Sequence, residues 1–192
     1  LAGATIDPLV GGGRAVLTLG AEAAWAAEVP IDGDQFPFTR LRIRIDTPEA
    51  GTYIVTHPYG VDTFEVVDID AGINVTSDIP LPAPTFGVSH ASRIGNFLIG
   101  DTTADIPARL IGNQGLTTVT GSNCDTPGPT NIFRIEASNT SGPIDLDRGA
   151  GGPAVEQTEF TPQGKIYPRT PTIVDSSTYS RNALGEGQIV PS

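Results

Sequence analysis

Apolar and polar residues alternate most strictly in Thr39-Arg40-Leu41-Arg42-Ile43-Arg44-Ile45-Asp46. A period of two sends successive side chains to opposite faces of a strand, so Leu41, Ile43 and Ile45 are expected inside and Arg40, Arg42 and Arg44 outside. Residues 14–27 are rich in Ala, which favours helix, but Val16, Leu17 and Leu19 beside Gly favour strand. With plain β-character following, the segment is read as a strand. Residues 52–57 alternate again. His57-Pro58-Tyr59-Gly60 reads as a turn, because Pro presets its second position and Gly relieves its fourth. Residues 61–70 form the expected return strand, with Phe64 and Val66 on one face. Ala71-Gly72 turns once more, and residues 73–79 make another strand. The pattern predicts a β-meander whose turn spacing suits a sandwich or barrel.

The second half is less regular. Residues 80–84 read as a polyproline-like connector. Residues 89–98 suggest one short helix with Ser89 as N-cap, and residues 100–110 a loop. Strands are expected near residue 110, at 117–120 and at 131–137. Residues 139–153 read as a polar, glycine-rich surface loop, 155–167 as a strand or hairpin arm, and 170–192 as extended chain. The predicted class is all-β, a β-sandwich or jelly-roll-like domain over residues 14–181. An extended N-terminal arm over 1–13 and an extended C-terminal arm over 182–192 flank it.

Composition narrows the functional classes. With 23 Gly and 17 Pro in 192 residues a helical bundle is excluded, and the single Cys124 excludes a disulfide scaffold. There is no Met at position 1 or elsewhere, so a processed product is expected. No stretch approaches the ~20 apolar residues of a membrane span. The formal net charge is −11, and Lys165 is the only lysine beside ten arginines. So acidic a chain repels phosphate backbones, which argues against nucleic acid, and also anionic membrane surfaces. Low Lys with abundant Thr, Ser, Gly and Pro suits an extracellular protein. Asn74-Val75-Thr76 and Asn139-Thr140-Ser141 are glycosylation sequons, so a glycan is a candidate partner.

Candidate chemistry is sparse. His57 is a possible base with Asp62 as its acid across the hairpin; its plainer role is a turn histidine that packs on Tyr59 or bonds a backbone group. Gly87-Val88-Ser89-His90-Ala91 misses the nucleophile elbow by its last glycine and lacks the α/β context that motif needs. Cys124 has no basic neighbour in sequence to favour its thiolate. One Cys and two His exclude a structural zinc tetrad. No cofactor is expected, with calcium the one candidate: Asp68 with Asp70, and Asp145 with Asp147, are alternating carboxylate pairs, but neither continues into an EF-hand loop. Lys165 with Glu136 or Glu159 and a nearby Asn is a candidate isopeptide trio, against the plainer reading of an exposed strand lysine.

Several segments also occur in a familiar order. They are Phe38-Thr39-Arg40-Leu41-Arg42-Ile43-Arg44, then Thr56-His57-Pro58-Tyr59-Gly60, then Thr120-Gly121-Ser122, then Asn131-Ile132-Phe133-Arg134-Ile135-Glu136. This order resembles a family of uncharacterised, predicted secreted proteins of bacteria and fungi, with the pattern F-x-R-x-R-x-R, T-H-P-Y-G, T-G-S and N-F-F-R-I-E. The resemblance covers most of residues 14–181. The chain departs from it at Asn123-Cys124-Asp125-Thr126, where the family has a shorter, proline-led turn. The resemblance implies a secreted β module without catalytic machinery, often part of a longer chain.

The expected function is therefore structural and not enzymatic: an extracellular subunit of a fibre, sheath or surface layer. Copies would join by strand donation, through Ile6, Leu9 and Val10 of the N-terminal arm, the favoured donor, or Ile189 and Val190 of the C-terminal one. The alternative is a carbohydrate- or surface-binding β-sandwich, for which Trp25, Tyr53 and Tyr59 would have to surface together.

Overall fold

The structure, a computed structural model, describes residues 1–27, 29–79, 93–94, 97–100, 110–112, 115–120, 131–147, 151–165, 177–181 and 187–191. Six strands open the chain: β1 (Ala2–Ile6), β2 (Ala15–Trp25), β3 (Gln35–Ile45), β4 (Gly51–His57), β5 (Gly60–Val66) and β6 (Ile73–Ile79). The later strands are β7 (Ile99–Gly100), β8 (Leu110–Gly112), β9 (Val119–Thr120), β10 (Phe133–Asn139), β11 (Gly142–Pro143), β12 (Ala154–Gln157), β13 (Gln163–Lys165), β14 (Ser177–Arg181) and β15 (Gly187–Pro191).

The alternation of β3 produces the longest pairing, with β2, running from Ala15 opposite Ile45 to Trp25 opposite Gln35. Leu17, Leu19, Leu41, Ile43 and Ile45 share one face and are buried. β6 extends this sheet beyond β3 and β1 extends it beyond β2, giving the order β1-β2-β3-β6. The facing sheet has the order β11-β10-β4-β5, with β12 also paired to β10. Its Tyr53, Val55, Phe133 and Ile135 join the first sheet's aliphatics in one core. The chain is thus an all-β sandwich of antiparallel sheets, each apolar face covering the other.

The predicted meander is corrected. β3 and β4 are consecutive but lie in different sheets, and β6 returns to pair with β3 rather than with β5. Alternation marks strands and turns; it carries no information on which edge a strand will join. The return through residues 67–72 needs Gly72, whose φ is +57° and where a Cβ would sit 2.5 Å from the Ile45 carbonyl oxygen.

The N-terminal arm is also corrected. Residues 2–6 form the edge strand of the chain's own sheet, with Ile6 opposite Ala15, and Val10–Gly12 is a 3-10 turn. Leu9 is fully buried and bridges Asp147, while the Val10 amide donates to the Leu146 carbonyl at 3.2 Å. The small residues Ala2 and Ala4 alternate inward and bury completely, which a search for large aliphatics passes over. The far side of β1 is covered by residues 161–163: the Thr161 amide donates to Gly3 O, and that of Gln163 to Leu1 O. At the other end, Ile189 and Val190 pair with Tyr179 and Thr178 in the β14–β15 hairpin, so the boundary expected after residue 181 falls inside a hairpin. Both expected donor segments are paired within the chain.

Two further expectations change. The loop over 139–153 is pinned by buried Ile144 and Leu146. Residues 155–167 hold parts of two strands, β12 and β13, with Phe160 buried between them. The expected helix at 89–98 falls largely outside the described residues; within it, Ile94 and Leu98 are buried.

Ile43 lies at the centre of the core, so Ile43→Ala is expected to lower the unfolding free energy by about 2–5 kcal/mol in guanidinium titrations. Arg42 sits on the opposite face, with one exposed bond from Nε to Thr76 Oγ1 at 3.0 Å. Arg42→Ala should change stability by about 0.5 kcal/mol or less.

Candidate functional site

Two side-chain constellations stand out, on different sheets. The first closes the β4–β5 hairpin. His57 pairs with Gly60 across the Pro58-Tyr59 turn, and the His57 side chain is wholly buried. Its Nδ1 accepts the Tyr59 backbone N–H at 3.2 Å. The proton of the neutral ring therefore sits on Nε2, 3.0 Å from Asp62 Oδ2, to which it donates. A terminal nitrogen of Arg93 donates to the same oxygen at 2.9 Å and lies 2.9 Å from Nε2. Two donors thus converge on one carboxylate oxygen rather than bonding each other.

Burial pushes the His57 imidazole below its ordinary pKa, and the Arg93 charge adds to this against the pull of Asp62. Hydrogen bonds from His57 and Arg93 bring the Asp62 carboxyl down to about 2. The expected His57–Asp62 contact therefore exists. Yet both ring nitrogens are engaged within the protein, and the ring holds the turn in the manner of a structural histidine.

The second constellation lies on the outer face of the four-stranded sheet, where the even-numbered residues of β2 and β3 point. Six arginines have described side chains, and three are neutralised. Arg40 makes a bidentate pair with Asp78 at 2.7 and 2.8 Å, Arg93 pairs with Asp62, and Arg134 pairs with Glu136 and Glu156 at 3.0 Å each. Arg14, Arg42 and Arg44 have no carboxylate partner among the described residues. Register explains the difference. β6 places Asp78 opposite Arg40, but Thr76 opposite Arg42 and Asn74 opposite Arg44. The neutral partners bond only Nε, at 3.0 Å to Thr76 Oγ1 and 3.3 Å to Asn74 Oδ1.

These three arginines line a single open cavity of about 350 Å³ with Thr5, Val16, Thr18 and Asp46. Small side chains on β1 and β2 form its low part beside the long arginines of β3. Asp46 Oδ2 accepts the Arg14 backbone N–H at 3.0 Å, which fixes the end of the groove. The outward arginines of β3 are legible in the alternation. That Arg14, 25 or more residues earlier, joins two of them follows only from the β2–β3 register.

The remaining candidates fall elsewhere. Asp68 Oδ1 accepts the Asp70 amide, and Asp145 Oδ1 accepts the amides of Asp147 and Gly152 at 3.1 and 2.8 Å. One carboxylate of each expected calcium pair, Asp68 and Asp145, thus caps its own loop. Among the described residues no group of three or more His, Cys, Asp or Glu converges on a metal position. Asn74 is exposed on the outer face, whereas Asn139 donates from Nδ2 to Glu49 Oε2 at 3.1 Å and accepts the Ser141 amide. Glu136, proposed for an isopeptide trio, pairs with Arg134. Ser89, His90, Cys124 and the Lys165 side chain lie outside the described residues. No aromatic platform forms from the expected trio: Tyr53 and Tyr59 are buried and Trp25 is 38% exposed.

Compared with protein-family models, curated proteins and solved structures, the chain matches none.

The lowered His57 pKa has a defined consequence for stability. The unfolded chain takes up this proton near pH 6.5 and the folded chain only at lower pH, so stability should fall as pH drops below about 6.5. A second loss is expected from about pH 4 down to 2, where Asp62 protonates in the unfolded chain first. Urea midpoints measured against pH should show both, with His57→Gln removing the first and Asp62→Asn reducing the second.

Proposed function

We propose that the chain is a secreted, surface-binding β-sandwich module that acts by adhesion and not by catalysis, with its ligand on the outer face of the four-stranded sheet. One observation carries this reading: among the described arginines, the three without an ion pair are the three that line one groove. In a chain of net charge −11, carboxylates are plentiful, yet the residues opposite Arg42 and Arg44 are a hydroxyl and an amide. Gathering like charges raises the local potential, and a bound anion relieves it. No short ion pair neutralises Arg14, Arg42 or Arg44 among the described residues, so much of that attraction stays available beside the one groove carboxylate, Asp46.

The single lysine, the exposed sequon at Asn74 and the motif order resembling secreted proteins favour a place outside the cell. His57, the best candidate base, has both nitrogens occupied, which favours binding over chemistry.

Assembly of copies is the second reading, and the observation that favours it is the outer edge of β5. No strand pairs with that edge among the described residues, and Val61 on it is 57% exposed. A binding module elutes from a sizing column as a monomer, whereas edge-to-edge assembly gives larger species that shift with concentration.

The binding reading is tested on sulfonate-coated beads at low ionic strength. Despite its negative net charge, the chain should be retained through the groove and released by salt. The triple change Arg14→Gln, Arg42→Gln and Arg44→Gln should abolish retention, while Arg134→Gln, which alters an ion-paired arginine on the other sheet, should not. Failure of the unaltered chain to bind sinks the proposal.

A further inference from the structure

We infer that the ligand of this groove is a linear acidic polysaccharide, read as a row of anions at the spacing of the strand. The inference rests on the binding reading above and specifies its ligand.

The first argument is spacing. Arg42 and Arg44 share a face two residues apart on β3, a step of about 6.7 Å. Arg14 continues the register one more such step, because the Asp46 amide donates to the Arg14 carbonyl at 2.9 Å just beyond the Ala15–Ile45 pair. Three cationic stations therefore follow one another over about 13 Å of strand. A chain with an acid on each of several sugar units can engage the three stations in turn, one acid per arginine, where a lone sulfate or phosphate would have to draw all three side chains onto itself.

The second argument is what lies between the stations. Val16 stands opposite Arg44 and Thr5 opposite Val16, while Thr18 stands opposite Arg42. Two hydroxyls suit sugar hydroxyls, and the Val16 methyls suit the apolar face of a pyranose ring. Asp46 lies opposite Arg14 and puts a negative charge at that station, so the hold on an acid group is weaker there than at Arg42 and Arg44.

Other polyanions fit less well. Among the described residues no aromatic side chain lines the groove for nucleobases to stack on, and the net charge repels a dense phosphate backbone. An extended acidic peptide has a similar charge spacing, but it docks chiefly through main-chain bonds at a sheet edge. Here the groove lies on a sheet face, where β2 and β3 have neighbours on both sides.

The test is calorimetric titration of the whole chain at low salt with galacturonate monomer, dimer, trimer and longer oligomers. Dextran sulfate, neutral dextran, polyglutamate and single-stranded DNA serve as comparisons. Affinity should rise by about tenfold or more for each added charged unit up to three, then level off. Neutral dextran should not bind. The double change Arg42→Gln and Arg44→Gln should weaken trimer binding by about tenfold or more, and Arg134→Gln should leave it unchanged. If the double variant does not melt cooperatively, Arg44→Gln alone, at an exposed position, serves in its place. Preference for galacturonate or for dextran sulfate identifies the acid as carboxylate or sulfate, and either supports the inference. Monomer binding as tightly as trimer overturns it and leaves the broader binding reading standing. Tighter binding of polyglutamate or DNA than of both acidic polysaccharides also overturns it. No binding to any polyanion, together with no retention on sulfonate beads, overturns both.

Discussion

Two sheet faces that are apolar on one side only must cover each other, and in this chain that contact is made by Leu17, Leu41 and Ile43 against Tyr53, Val55, Phe133 and Ile135. Once β2 and β3 are paired in register, their odd-numbered residues form a surface that water penalises. The following hairpin, β4–β5, can hide that surface only by leaving the sheet and lying across it. The path between β3 and β4 reflects this: it is held by the Tyr53 hydroxyl, which donates to the Glu49 carbonyl at 2.7 Å from within the second sheet. The return to β6 is possible because Gly72 lets the backbone pass close to Ile45. Even the chain's start obeys the same demand, with Ala2, Ala4 and Leu9 filling the rim of the core.

The same parity that buries Ile43 turns Arg42 outward, so core and groove are two sides of one pattern. What differs along the outer face is the identity of cross-strand partners. Arg40 meets an acid on β6 and also lies 5.1 Å from the Phe38 ring, and is thereby neutralised and packed. Arg42 and Arg44 meet neutral side chains. Surface ion pairs add little stability on average, so leaving two arginines unpaired costs the fold little. It leaves their guanidinium charges without a short ion pair among the described residues, in contrast to Arg40 on the same strand.

The hairpin cluster has a catalytic-looking composition, and its hydrogen bonds also hold the turn. A histidine, an aspartate and an arginine lie within 3.0 Å of one another. Catalysis would require the imidazole to exchange protons with something outside the protein. Here Nδ1 holds the Tyr59 amide and Nε2 holds Asp62, so protonation at Nδ1 breaks the bond to the amide. Arg93 comes from a distant segment and also reaches the Tyr59 carbonyl at 3.5 Å, so the cluster ties that segment to the turn.

By itself the sequence determined the local elements whose signal is short-range. The inward set of β3, the strand nature of β2, the turn at Pro58-Tyr59 and the span of β6 all follow from alternation and turn chemistry within a dozen residues. The His57–Asp62 contact was legible too, because a tight hairpin brings positions five apart together. Only the tertiary structure decided which strands became neighbours, since pairing depends on burying whole faces and not on any one strand's pattern. It turned the expected free arms into paired strands, because the edge of β2 and the partner strand of β15 lie within the same chain. It assigned Asp68 and Asp145 to backbone amides, which a spacing of carboxylates cannot distinguish from a metal site. And it brought Arg14 beside Arg42 and Arg44, because the charge balance of a groove is set by the register between strands that are distant in sequence.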